Sequence, residues 1–161
     1  MSPNLLLPSP GVLPSGQGEY AAAKYHWCIN RSGGALAAGD WVVHDPTAAY
    51  NAPGLHTPAT TSATSVADVI GVVAPGYSTV PDGAVFLAQI SGLHPAAKVD
   101  GTTDLTNGDP LTPGVAAGAA VKQGTASSRL VCGRYVDAAY TANEVALKKC
   151  WLLNPMGLPA Q

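Results

Sequence analysis

Thr141-Ala-Asn-Glu-Val-Ala-Leu-Lys-Lys-Cys-Trp-Leu-Leu153 can be read in two ways, and the choice decides the fold. Its opening, Thr141 with Glu144 three residues later, matches the capping box that starts a helix. Its last nine residues put Val145, Leu147, Lys149, Trp151 and Leu153 on one phase of a two-residue period, as a strand does. The neighbouring segments arbitrate. Leu130-Val-Cys-Gly-Arg-Tyr-Val136, just upstream, is rich in branched and aromatic residues around a central glycine, and it reads as a strand. The terminal segment is therefore expected to be a strand that closes a barrel.

The same rhythm runs through most of the chain. Tyr25-His-Trp-Cys-Ile29 ends at the turn cluster Asn30-Arg-Ser-Gly-Gly34, and Tyr20-Ala-Ala-Ala-Lys24 before it has room for one helical turn. Trp41-Val-Val43 follows Gly39-Asp40, Val69-Ile-Gly-Val-Val73 precedes Ala-Pro-Gly76, and Ala84–Ile90 follows Pro81-Asp-Gly83. Val99 precedes Asp100-Gly101, and Leu111 follows Asn107-Gly-Asp-Pro110. Short strands separated by Gly, Pro and Asp turns predict an all-β fold. We expect a small β-barrel or β-tulip-like domain over 19–161, preceded by an extended N-terminal arm over 1–18. Within the domain, 46–65 is rich in Thr, Ser and Pro and uncharged, and it is expected to be a long surface loop.

The 161 residues allow one domain or two very small ones. Hydrophobic residues make up 47%, but 27 of them are alanine, so each buries little. Charged residues are 11% and aromatics 6%, which predicts a thin core supplemented by contact with a partner. No apolar run approaches the roughly 20 residues of a membrane-crossing helix. The net charge is −2, and there is no Lys or Arg between Arg31 and Lys98. Neutralising a phosphate backbone needs clustered cations, so nucleic acid is not an expected partner. The opening Met-Ser-Pro-Asn-Leu-Leu-Leu-Pro lacks the basic start of a signal peptide, and the chain is expected to act in the compartment where it is made.

Cys28, Cys132 and Cys150 give an odd count with no paired spacing, and His26, His44, His56 and His94 do not complete a zinc set. His26 and Cys28, two apart, share a face if their segment is a strand. If 130–136 and 145–152 form a hairpin turning near Thr141, Cys132 and Cys150 fall opposite each other; they are expected to stay reduced.

The arm carries no charge and four prolines, Pro3, Pro8, Pro10 and Pro14. Proline withdraws a donor and fixes φ, so the arm reads as extended. Leu5, Leu6 and Leu7, with Val12 and Leu13, are its apolar residues and the expected partner contacts. A solvated terminal tail is the alternative.

A faint internal repeat is also present. Leu36-Ala-Ala-Gly-Asp-Trp-Val42 aligns with Leu105-Thr-Asn-Gly-Asp-Pro-Leu111 at an offset of 69. Val69-Ile-Gly71 and Ala84–Ile90 align with Val131-Cys-Gly133 and Ala146–Leu152 at an offset of 62. Chance likeness among Gly-Asp turns would produce a similar pattern, since glycine supplies positive φ and aspartate caps its own turn.

No catalytic constellation emerges. His44 and Asp45 are adjacent, which on a strand sends them to opposite faces. Asp100, Thr102, Asp104 and Asn107 come nearest to a calcium loop but read first as turn residues. Nucleophile-elbow, dinucleotide and phosphate-loop patterns are absent from the sequence. The chain is not expected to be an enzyme, nor to need a cofactor or metal.

Ala35-Leu-Ala-Ala-Gly-Asp40, Val69-Ile-Gly-Val-Val-Ala74, Pro81-Asp-Gly-Ala-Val85 and Lys98-Val-Asp-Gly-Thr-Thr-Asp-Leu-Thr-Asn-Gly-Asp-Pro-Leu111 follow one another in a familiar order. With Gly118-Ala-Ala-Val-Lys-Gln-Gly124 and Leu130–Val136, this pattern resembles the head decoration, or capsid cement, proteins of tailed bacteriophages. The resemblance covers roughly 25–153. It implies a compact barrel-like domain, often a homotrimer, seated on the outer surface of the virion's shell of major capsid protein, made in the host cytoplasm and without catalytic residues. The 46–65 insert is long for that pattern, and the arm has no counterpart in it. The rival reading is a non-enzymatic binding module, for example a tail or baseplate part or a carbohydrate-binding barrel, for which exposed Trp and Tyr on one face would be the sign.

Overall fold

The computed structural model describes residues 23–45, 57–61, 69–114, 116–124 and 130–154. Everything described is strand or turn. Eleven strands occur in order: β1 Lys24–Asn30, β2 Leu36–Ala37, β3 Trp41–His44, β4 Thr57–Thr61, β5 Val69–Val73, β6 Thr79–Val80, β7 Val85–Asp100, β8 Pro110–Pro113, β9 Ala120–Lys122, β10 Gly133–Tyr135 and β11 Val145–Leu153. The strand reading of the terminal segment holds. The capping-box residues Thr141–Glu144 lie in the turn before β11 and start no helix.

The pairings close twice. β1, β4, β3, β5 and the first half of β7 form a ring, closed by β1 against β7 (Cys28↔Phe86). The second half of β7, with β9, β8, β10 and β11, forms another, closed by the single pair Val99↔Ala120. The rings have the same strand order and the same directions. β1–β4 is parallel, as is β7–β9, and every other neighbour is antiparallel.

Their registers also agree pair by pair. Asn30↔Ala59 corresponds to Val99↔Ala120, and Val42↔Thr61 to Leu111↔Lys122. Val42↔Gly71 corresponds to Leu111↔Gly133, and Val72↔Gln89 to Arg134↔Trp151. The offsets of 69 on the Gly-Asp segments and 62 on the later strands are those of the sequence repeat, and β4 maps onto β9 at an offset of 61. The chain is thus one supersecondary unit used twice, with β7 ending the first barrel and beginning the second.

Each barrel has its own cluster of buried side chains. Cys28, Leu36, Val42, Ile70, Val73, Phe86, Ala88 and Ile90 pack in the first. Ala97, Val99, Leu105, Leu111, Ala120, Cys132, Tyr135, Cys150 and Leu152 pack in the second, and Trp41, Val43, Val69 and Val72 from the outside of the first barrel join them. His26, Cys28 and Asn30 are all buried, consistent with one shared face of β1. β7 passes between barrels at Gly92, whose φ of 86° lies in the left-handed region that favours glycine. Exposed Pro95 sits where the β7–β11 register shifts between Lys148 and Cys150, a place where its missing donor does no harm.

Four expectations need correction. The 46–65 segment is not loop throughout: Thr57–Thr61 is a strand, parallel to β1 and antiparallel to β3. The separate strands expected at 84–90 and near Val99 are one 16-residue strand. The strand expected over 130–136 is reduced to Gly133–Tyr135. Cys132 and Cys150 are not opposite each other. Cys150 faces Tyr135, and the Cys132 carbonyl accepts from Leu153 N–H, because the connection after β10 swings out to pair Tyr140 with Leu105. The arm, with Leu5, Leu6, Leu7, Val12 and Leu13, lies outside the described residues, as do 20–22 of the suggested helical turn.

The duplicated turn allows a matched prediction. Gly39 and Gly108 occupy the same place with φ of 75° and 93°. A Cβ on Gly108 meets nothing within 4 Å, whereas on Gly39 it collides with the Ala96 carbonyl oxygen and the end of Leu147. Gly108→Ala should cost about 1–2 kcal/mol from the left-handed backbone alone. Gly39→Ala should cost at least twice that; equal losses in urea unfolding would contradict the equivalence with its asymmetry.

Candidate functional site

The Gly-Asp turns show how one local device serves two tasks. In the first barrel Ala37 N–H donates to Asp40 Oδ2 at 2.6 Å; in the second, Thr106 N–H donates to Asp109 Oδ2 at 2.7 Å. Each carboxylate then takes a lysine. Lys122 of β9 lies 2.8 Å from Asp109, within the second barrel. Lys98 of β7 lies 2.5 Å from Asp40 and so ties the first barrel's turn to the second. Asp100 Oδ1 accepts from Thr102 N–H at 3.0 Å, the turn role expected of it. Among the described residues, no three His, Cys, Asp or Glu side chains group as a metal site.

Next to Asp40, Trp41 fastens the junction. Its indole Nε1 donates to the Lys98 carbonyl at 2.9 Å, its backbone N–H donates to the Gly118 carbonyl at 2.9 Å, and its ring edge reaches Gly133 on β10. Gly118 is left-handed and lies against the Asp40 carboxylate, leaving no room for a Cβ. A second fastening is His94. Its Nδ1 accepts from Ala96 N–H at 3.1 Å, so the proton sits on Nε2, which donates to the Val73 carbonyl of β5 at 3.1 Å. Burial lowers its pKa to about 4, opposed only in part by the Val73 carbonyl.

All three cysteines are buried and unpaired. Desolvation raises the pKa of Cys28 and Cys132, and pushes that of Cys150 up to about 12, so none is a thiolate near neutrality. A thiol reagent should find essentially no reactive group in the folded chain and three after denaturation without reductant. A denatured count of one would show a disulfide.

The outer surface is where the chain departs from an ordinary barrel. Of the described residues, the large apolar side chains left exposed are Leu130 (39%), Val145 (46%), Leu147 (50%) and Leu153 (42%). Three share the outward phase of β11 with Lys149 and half-buried Trp151, and Leu130 precedes the adjacent β10. The sequence carried a signal for this face. β11 is apolar on both phases, with Cys150 and Leu152 inward and Leu147, Trp151 and Leu153 outward, as for a strand covered on both sides. Arg134, exposed on β10, donates to the Gly108 carbonyl at 3.0 Å and supplies a charge at the rim.

Trp41, Tyr77, Tyr135 and Tyr140 are buried, and Tyr25, Trp27 and Trp151 are half-buried. No model of a known protein family matches the chain, and no curated protein matches it.

Proposed function

We propose that this chain is a structural virion protein that binds the outer surface of a tailed-bacteriophage shell and cements its major capsid protein, as a homotrimer and without catalysis. The observation that supports the reading is where the resembling residues fall. Ala35–Asp40 and Val69–Ala74 build the entry turn and a wall of the first barrel, and Lys98–Leu111 builds the corresponding turn of the second. The pattern that resembles the decoration proteins therefore lies on barrel framework, in keeping with the compact barrel-like domain that the resemblance implies, although here the barrel unit occurs twice. A carbohydrate-binding module is less well supported, because none of the described Trp and Tyr side chains is exposed for a sugar to stack on.

The apolar arm supplies an anchor in this reading. Each buried leucine is worth roughly 1.5–3 kcal/mol, and many copies on a symmetric shell add avidity. Shells lacking the protein should carry it down on co-sedimentation, and deletion of residues 2–18 should reduce occupancy at least tenfold. Absence of full-length protein from the pellet would refute the proposal. Full occupancy by the truncated chain would move the attachment from the arm to the barrels.

A further inference from the structure

We infer that in the free protein the arm folds back on its own chain, residues 1–18 lying along the outward face of β11 with Leu5, Leu6 and Leu7 against Val145, Leu147 and Leu153. β11 is bonded along both edges, to β7 on one side and β10 on the other, so no strand can be added to it. What stays open is a row of side chains. Val145, Leu147 and Leu153 are exposed along it, and Leu130 is exposed just before the neighbouring β10. An occupant of such a row is held by side-chain contact and needs no backbone donors.

The register of β7 shows which segment is aimed at that row. Ser91 pairs with Lys24, at the start of β1, and with Leu153, at the end of β11. The arm therefore joins the described fold within two strand spacings, about 10 Å, of the nearer end of the row. β1 and β11 both run antiparallel to β7, so β1 leaves Ser91 in the direction in which β11 arrives there. Traced backward from Lys24, the chain heads along β11 from Leu153 toward Val145. Reach is not limiting. Leu7 stands 17 residues before Lys24, a length that spans up to about 56 Å, and the row from Val145 to Leu153 is about 27 Å long.

The composition of the arm suits the row. Residues 1–18 carry no charged side chain, so laying them on apolar surface takes none out of water. Pro3, Pro8, Pro10 and Pro14 lack the N–H that a sheet edge would demand and a row of side chains does not. The segment after β11 is a poorer occupant. Asn154, at a φ of 47°, turns the chain as the strand ends, and 155–161 offers only Met156 and Leu158 as large apolar residues.

The contact belongs to the free protein and does not rest on the shell reading, under which the same leucines leave β11 when the chain attaches. Chymotrypsin, which cuts after leucine, tests it on the full chain without capsids. Leu147→Ser with Leu153→Ser, both at exposed positions, should speed removal of the arm about tenfold, because cleavage follows the population of released arm. Cleavage within the barrels should not change. Leu5→Ser, Leu6→Ser and Leu7→Ser together should raise the binding of a dye that reports apolar surface, and adding the two β11 substitutions should bring it back down. Deletion of residues 155–161 should alter neither readout. An arm removed as fast from the wild type as from the β11 variant would overturn the inference. So would protection that fades on dilution, which a seat on another copy predicts, or dye binding that rises only when 155–161 are deleted.

Discussion

Trp41→Ala should be the most damaging single truncation in the described chain. The side chain is 1% exposed and belongs to the second barrel's core while its backbone belongs to the first. Its removal opens a large cavity at the junction and strands the Lys98 carbonyl that accepted from Nε1. Comparable buried tryptophan truncations cost about 3–5 kcal/mol. For a chain of this size that corresponds to a fall in Tm of about 10 °C or more. Trp27→Ala, half-buried on β1, is the control and should cost markedly less. The comparison requires only thermal and urea unfolding of the two variants. Equal losses would mean that Trp41 is not the fastening between barrels.

Acid should loosen the same junction through His94. The folded-state pKa is lowered from 6.5 to about 4, so between these values the unfolded chain binds a proton that the folded chain refuses. Stability contributed by neutral His94 is complete above pH 6.5 and is lost as pH falls toward 4. At about 1.4 kcal/mol per pH unit, the loss is on the order of 3 kcal/mol. Protonation also places a second N–H on the ring opposite Ala96 N–H, so the clasp fails geometrically as well as electrostatically. Carboxylates act in a different window. Asp137, held below its usual range by the Ala138 and Lys149 N–H groups, contributes only to losses below about pH 4. Urea unfolding at steps from pH 7 to pH 4 should show the decline, and His94→Leu, less stable at pH 7, should flatten it. A wild-type profile that is level between pH 6.5 and 4.5 would contradict this assignment.

Much of the architecture was legible from local chemistry. The Gly-Asp turns announced themselves because a left-handed glycine followed by a carboxylate that caps its own turn leaves few alternatives, and the structure uses both copies so. The Val-x-Gly strands were legible because Gly71 and Gly133 lie where a neighbouring strand's carbonyl approaches too closely for a Cβ. What escaped was set by tertiary context. β4 has the Thr and Pro composition of a loop and becomes a strand only because β1 and β3 leave edges on either side of it. β7 runs unbroken through Gly92 and Pro95, which sit where the strand changes barrels or bulges, so only the whole fold shows that 84–90 and Val99 belong to one strand. A symmetric hairpin would set Cys132 opposite Cys150, but the connection between β10 and β11 is not symmetric. Instead Tyr135 Oη donates to the Ala138 carbonyl, and Tyr140 is drawn away to Leu105. The expected contact residues of the arm fall outside the described structure. The exposed β11 face is legible in the apolar residues that stand on both of its phases.

The central claim is that this protein sits on the outside of a phage shell, and images of particles assembled with and without it test that most directly. The account predicts extra density on the outer surface only when the protein is present, with each copy resolving into two similar small barrels. Identical particles in the two preparations, or density on a tail or baseplate instead of the shell, would contradict it.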